Sequence, residues 1–158
     1  MISSSNEAGW ELNTKHIFVL SASGKPIFTY YGDEQEMVTT FGLIQAVISI
    51  VQSTGDSIKS IQAGSRKIVY LVEQSLYFVC ISSTNEPEVV LLKHLQFLYS
   101  QILLVLTSRV HDVLANNPST DLRQLLGADT TRLMRANAVV SGTNIESDIT
   151  PIHIAFEV

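Results

Sequence analysis

Charge is scarce in this chain. Only 16% of its 158 residues are Asp, Glu, Lys or Arg, while 46% are hydrophobic, the reverse of a disordered composition. The ten Lys and Arg are scattered, and the net charge is −5 with a pI near 5.2. Phosphate binding needs basic clusters, so nucleic acid is not the expected partner. A single cysteine, Cys80, excludes an internal disulfide and a cysteine-based zinc site. Set in an apolar run, it reads as a small core residue rather than a nucleophile. The first 14 residues have neither a basic region nor an apolar core, so no signal peptide is expected and a cytosolic protein is the default. Asn117-Pro118-Ser119 is barred from N-glycosylation by its proline. His16, His94, His111 and His153 show no metal-ligand spacing, and no nucleophile elbow or Gly-rich nucleotide loop is present. Gly24-Lys25 lacks the upstream glycine and following Ser/Thr of a phosphate loop. No conventional active site, cofactor or metal is therefore expected.

What is present is a long uncharged helix. Met37 to Thr54, MVTTFGLIQAVISIVQST, follows Asp33 at an N-cap position, with Glu36 completing a capping box. Gly55 stands where a left-handed residue commonly closes a helix. At 100° per residue Met37, Phe41, Ile44, Ile48 and Val51 form one stripe, with Leu43, Val47 and Ile50 as a second beside it. The rest of the circumference holds Val38, Thr39, Gly42, Gln45, Ala46, Ser49, Gln52 and Ser53. A face turned to water normally carries Lys and Glu, and this one is small, smooth and uncharged. Either the helix is buried within its own domain, or its inner face packs on a sheet while its outer face receives another protein. The second reading is preferred.

The remaining elements follow in order. Residues 1–14 read as a flexible lead-in, with Trp10 as a tether to the body. Lys15 to Ser21 and Ile27 to Tyr31 form a hairpin about Ser23-Gly24-Lys25-Pro26. After the helix, Ser57 to Ala63 is the most polar and least regular strand, which suits a sheet edge guarded only by Lys59. Ile61→Pro is expected to abolish pairing there more than it harms the isolated fold. Lys67 to Val72 and Leu76 to Ile81 are nearly continuous in apolar residues, as strands covered on both faces are. Their short links favour antiparallel pairing.

Asn85 with Glu88 signals a second capping box, followed by a helix to about Ala115 with apolar Leu91, Leu95, Leu98, Ile102, Val105 and Val113. Lys93, His94, Gln96, Ser100, Gln101 and Arg109 interrupt it and argue against a membrane span. Thr120 then caps a short helix, DLRQLL, ending at Gly127. A further helical fragment is expected over Thr130 to Val140, and a short strand or loose end over Ser141 to Val158. The fold class is α/β (α+β): a five-stranded antiparallel sheet between helices, in the order ββαβββαα. That is the longin-type α/β/α arrangement, whose logic PAS-like and profilin-like domains share in part.

Particular residues narrow the choice. KHIFVLSASGKPIFTYYGDE, then a helix, then IVQSTGDSIKSIQAGSRKIVYLVEQSLYFVCIS resembles the first longin domain of the SAND family. The blocks HIFVLS-x-x-GKPI, YYGDE, QSTGD, KIVYLV, LYSQILLVLT and LRQLLG carry the likeness, which covers about Lys15 to Gly127. The longin domain is accordingly expected over 15–127, with a divergent tail over 128–158, since the family pattern fades beyond about Asp129. SAND proteins continue into two further longin domains, whereas this sequence stops at Val158. A shortened isoform, a partial gene product or a cut-down piece would each account for that.

The resemblance implies the Mon-type subunit of the Mon–Ccz complex, which acts in endosome and vacuole traffic. It implies a Ccz-type longin subunit and a late-endosomal Rab GTPase as partners, GDP-for-GTP exchange as the activity, and peripheral association with membranes through the complex. An exchange factor needs a complementary surface rather than acid–base chemistry. On the helix, Gly42, Ala46, Ser49 and Ser53 would permit close approach, Gln45 and Gln52 would supply hydrogen bonds, and Val38 would add apolar contact. Glu34 and Glu36 fit capping and the helix dipole better than contact with a partner. Ile58 and Ile61 belong to the edge strand expected to pair with a second longin domain. The rival readings are a longin-type interaction module of a coat or tether without exchange activity, and a PAS-like small-molecule sensor with a cavity beneath its helices.

Overall fold

The computed structural model describes residues 14–30, 34–107, 109–124 and 126–127. The Trp10 tether, the Asp33 cap, the 130–140 helix and the 141–158 segment lie outside the described residues.

Alternation of buried residues builds the sheet. Strands β1 (Lys15–Ser21), β2 (Pro26–Thr29), β3 (Ser60–Ala63), β4 (Arg66–Glu73) and β5 (Leu76–Ser82) pair antiparallel in the order β2-β1-β5-β4-β3. Helices α1 (Glu34–Ser53), α2 (Glu88–Leu106) and α3 (Arg109–Asn116) complete the expected ββαβββαα order. In β1, Ile17 and Val19 face one core while Phe18 and Leu20 face the other. The first core takes α2 and α3 through Leu91, Leu95, Leu98, Ile102, Val110 and Leu114. The second takes α1 through Met37, Phe41, Ile44 and Ile48. Cys80 lies fully buried in β5, where burial pushes its thiol up to about 12.

Turn chemistry explains the hairpins. Gly24 has φ +79° in the β1–β2 turn, and a Cβ there would collide with the side-chain amide of Gln45. Lys25 donates from Nζ to the Ser119 carbonyl at 3.0 Å, so Gly24-Lys25 is a structural corner. A two-residue Gly64-Ser65 turn, with Gly64 at φ +60°, joins β3 to β4 and sets Ala63 opposite Arg66. Gly55 ends α1 at φ +79°. Its N–H bonds Gln52 O at 3.0 Å and that of Asp56 bonds Val51 O at 3.4 Å, the paired bonds of a Schellman motif.

Four local expectations are corrected. The second helix is not continuous to Ala115: it breaks at Thr107, which sits at φ +61° and donates to Leu103 O at 2.8 Å. The break resets the helical phase, so Val113 turns outward and Val110 and Leu114 fill the core instead, while Val105, in the last turn before it, is exposed as well. Asn85 is not the cap of α2; Pro87 occupies that position and no side chain caps it. Proline has no N–H to lose at a helix start, and its carbonyl takes the bonds from Val90 and Leu91. In the helical turn around residues 122–127 the Asp121 carboxylate, not the Thr120 hydroxyl, receives the Arg123 N–H at 3.1 Å. The fourth correction concerns α1. Its Leu43 and Ile50 are about two-thirds exposed rather than part of a second inward stripe.

One buried charge ties α2 to the sheet. Lys15 is 8% exposed and meets Glu86 at 3.1 Å and His94 Nδ1 at 2.7 Å. Burial alone would raise the Glu86 carboxyl, but hydrogen bonds from Thr84 and Lys15 hold it below the usual range. Burial, and then the Lys15 charge, keep His94 low, so its neutral ring accepts the lysine proton. By length and composition α2 could cross a membrane. Here its Leu91, Leu95, Leu98 and Ile102 stripe is packed against the sheet.

Candidate interaction surface

Helix α1 is positioned by three contacts along β1. His16 Nε2 lies 3.3 Å from Met37 Sδ, the Phe18 and Phe41 rings are 5.5 Å apart, and Gln45 Nε2 donates to Ala22 O at 3.0 Å. The helix therefore tracks β1 from its start to its end, with its Gln45 flank turned towards the β1–β2 corner. On the opposite flank, Thr40, Val47 and Val51 are half-buried.

The outer surface of α1 carries no ionisable group from Met37 to Ser53. Val38, Gly42, Ala46, Ser49, Gln52 and Ser53 are all exposed, as a receiving face requires. Nothing lies within 4 Å of a Cβ built on Gly42. Leu43 (65% exposed) and Ile50 (66%) add two large apolar side chains to Val38 (63%). This makes the face more hydrophobic than the sequence reading supposed. A signal for them was available: at 100° per residue they lie roughly 130° and 150° from the centre of the buried stripe.

Two of the polar residues singled out are already engaged. Gln45 is half-buried and bound to Ala22, while Gln52 Oε1 accepts from Tyr77 Oη at 3.3 Å. Both hold α1 on the sheet. Ser53 Oγ turns back to Ile50 O at 2.7 Å. The face thus presents shape and apolar area with few free polar groups.

β3 ends the sheet on the side away from β2. Among the described residues β3 pairs only with β4, and its Ile61, like Ile58 before it, is half-buried against the α1-side core. Ile58 and Ile61 thus support the edge from within, and the backbone supplies its outer rim. Lys59 O accepts from Tyr70 N at 2.8 Å, so alternation points Lys59, Ile61 and Ala63 at β4 and Ser60 and Gln62 outward. A proline at Ile61 would therefore break an internal ladder bond, so it is the fold rather than the outer rim that it harms first. On the same face Ile68, Val72 and Ile81 are half-buried.

Among the described residues no three His, Cys, Asp or Glu side chains are grouped to hold a metal ion. His16 is buried beside Met37, and burial lowers it to about 4. His111 bonds Tyr99 Oη at 3.0 Å in the α2–α3 layer, and His153 lies outside the described residues. A half-open depression of about 180 Å³ is lined by Ser21, Ala22, Ser23, Ser75, Leu114, Ala115 and Pro118. It sits at the hairpin end of the sheet and is below the usual size of a ligand site.

Comparison with known proteins agrees with the SAND likeness. The chain is 43% identical over 120 residues to "Vacuolar fusion protein MON1 homolog" of Oryza sativa subsp. japonica, covering 76% of this chain and 21% of that protein. It is 40% identical over 123 residues to "Protein SAND" of Takifugu rubripes, covering 77% and 24%. Against "Vacuolar fusion protein MON1 homolog B" of Homo sapiens it is 37% identical over 127 residues, covering 80% and 23%. The chain thus spans less than a quarter of the length of each of these relatives. Residues 15–135 match the family described as the first longin domain of FUZ, MON1 and HPS1, and to that family the chain belongs.

Proposed function

We propose that this longin domain is one half of a two-subunit platform that activates a late-endosomal Rab GTPase. Its partner would be a Ccz-type longin protein, and the pair would act in endosome-to-vacuole or lysosome traffic and membrane fusion. The observation that carries this reading is the uncharged, exposed face of α1 on a sheet whose β3 edge is unpaired among the described residues. Such a surface suits two jobs at once. The β3 edge and the Leu43, Val47 and Ile50 flank suit a second longin domain by strand addition. The smooth rim of Gly42, Ala46 and Ser49 suits the switch loops of a GTPase, which a bulky or charged surface would hold away.

Exchange on this reading is differential binding. The platform binds the nucleotide-free GTPase more tightly than the loaded form and so accelerates release. The domain contributes complementarity and no reacting group. Attachment to endosomal or vacuolar membranes would come through the assembled complex. Relatives named for vacuolar fusion support the cellular setting.

The test is nucleotide release from the Rab with the chain, with the Ccz-type subunit and with both. Acceleration by the pair is the expected result. Stable pairing without acceleration would leave an interaction module of a coat or tether in its place.

A further inference from the structure

Helix α2 has an outer face that its own core does not use. Leu91, Leu95, Leu98 and Ile102 are buried on the sheet. At 100° per residue Val89, Lys93, Phe97 and Leu104 fall on the opposite side, together with Gln96 and Ser100. All six are exposed, Leu104 at 81%. Lys93 is the one charge among them. Glu88, at the start of the helix, is drawn aside to the Ser60 hydroxyl at 2.8 Å. This face is therefore apolar with a single cation, whereas the outer face of α1 carries no charge.

The chain itself supplies a complement. Leu122 and Leu126 are buried in the core that α2 covers, so the chain passes Gly127 on the α2 side of the sheet. Residues 141–158, SGTNIESDITPIHIAFEV, lie beyond the part that matches the family. They hold Ile145, Ile149, Ile152, Ile154, Phe156 and Val158, the acids Glu146, Asp148 and Glu157, and neither Lys nor Arg. A segment of apolar residues and acids complements an apolar face with one base. On α1 the same acids would meet no cation. The dimensions agree as well. In an extended chain Ile152, Ile154, Phe156 and Val158 fall on one side and span about 20 Å at 3.3 Å per residue. Val89 to Leu104 covers ~22 Å at 1.5 Å per residue. The link, residues 128–140, bridges about 20 Å as a helix and about 45 Å extended, so it does not restrain the docking.

We propose that residues 141–158 lie along the outer face of α2 in the same chain, with their acids towards Lys93. The α2 side is then closed by the chain's own segment, and the α1 face is left for other proteins. The docking does not depend on the exchange-factor reading.

The experiment is paramagnetic relaxation in the full 158-residue chain. Cys80 is fully buried, so a nitroxide can be placed on a cysteine introduced by Ala155→Cys, on the side of the segment turned away from Ile154 and Phe156. In the 15N-labelled chain the amide signals of Val89 to Leu104 should broaden at least threefold more than those of Met37 to Ser53. Leu104→Asp and Lys93→Glu, both at exposed positions, should each cut that broadening at least twofold while circular dichroism shows the fold intact. Glu146→Lys with Asp148→Lys should restore it in the Lys93→Glu chain, and this swap carries the test even where Leu104→Asp fails to fold. An unlabelled chain bearing the nitroxide, mixed with a 15N-labelled chain that lacks it, should broaden nothing. Absence of broadening on α2, or stronger broadening on α1, would overturn the proposal. So would broadening that appears in the mixture, which would give the face to a second copy, or broadening indifferent to both Leu104→Asp and Lys93→Glu. Nucleotide release with the Ccz-type subunit is read separately, and its failure would overturn the exchange-factor reading alone.

Discussion

His16 carries the clearest single-residue consequence. Burial lowers it from 6.5 to about 4, so the native state refuses a proton that the unfolded chain accepts below about pH 6.5. The stability it contributes is complete above that pH and is lost as pH falls towards 4. At ~1.4 kcal/mol per pH unit, the loss at pH 5 is about 2 kcal/mol. His94, also held low, acts in the same direction. Urea midpoints should fall between pH 7 and pH 5, and His16→Gln should flatten that slope without abolishing it. Equal slopes in both proteins would mean that His16 is not the group responsible. The Lys15–Glu86–His94 cluster was invisible in the sequence, because residues 71 and 79 positions from Lys15 meet it only once the sheet and α2 are assembled. Gln45 was misjudged for a similar reason: its fixed place against Ala22 depends on Gly24, across a fold boundary.

At the scale of elements, the hydrophobic pattern foretold most of what formed. Strand alternation, the Gly55 stop and the Met37, Phe41, Ile44, Ile48 stripe gave the sheet, the end of α1 and its inner face. The Thr107 break was not legible, since neither proline nor glycine marks it and the apolar pattern runs on to Val105 and Val113. What fixes the break is tertiary: α3 must turn to bring Val110 and Leu114 to the sheet. The outer face of α1 was legible as uncharged, yet Leu43 and Ile50 were assigned inward because two neighbouring stripes were merged.

Two tests belong to these elements. Ala46→Arg and Ser49→Arg should each change stability by no more than about 1 kcal/mol, as exposed substitutions do. Both should weaken binding to the Rab or the partner subunit in titration calorimetry. Substantial unfolding by either would mean the face is internal after all. At the edge, Ile61→Pro should lower the unfolding midpoint well below that of Gln62→Pro, because only the first removes an N–H directed at β4. Equal midpoints would show that the β3 register is wrong.

At the scale of the molecule, the described residues place a helical layer on each face of the sheet. The α2–α3 layer closes a core and anchors a buried charge. The α1 layer leaves its outer side smooth and apolar, and among the described residues β3 ends the sheet. That outer face is about 25 Å long at 1.5 Å per residue, and it is narrow. A stable specific interface buries roughly 800 Å² on each side, more than one such strip supplies, whereas two longin domains side by side would about double it. The account's central claim is that the working surface is made by two domains and not by one. The direct measurement is the rate of labelled GDP release from the late-endosomal Rab at micromolar chain concentration, alone and with the Ccz-type subunit. The predicted result is a spontaneous rate with the chain alone and a clear acceleration only with both. Full acceleration by the lone chain would contradict it.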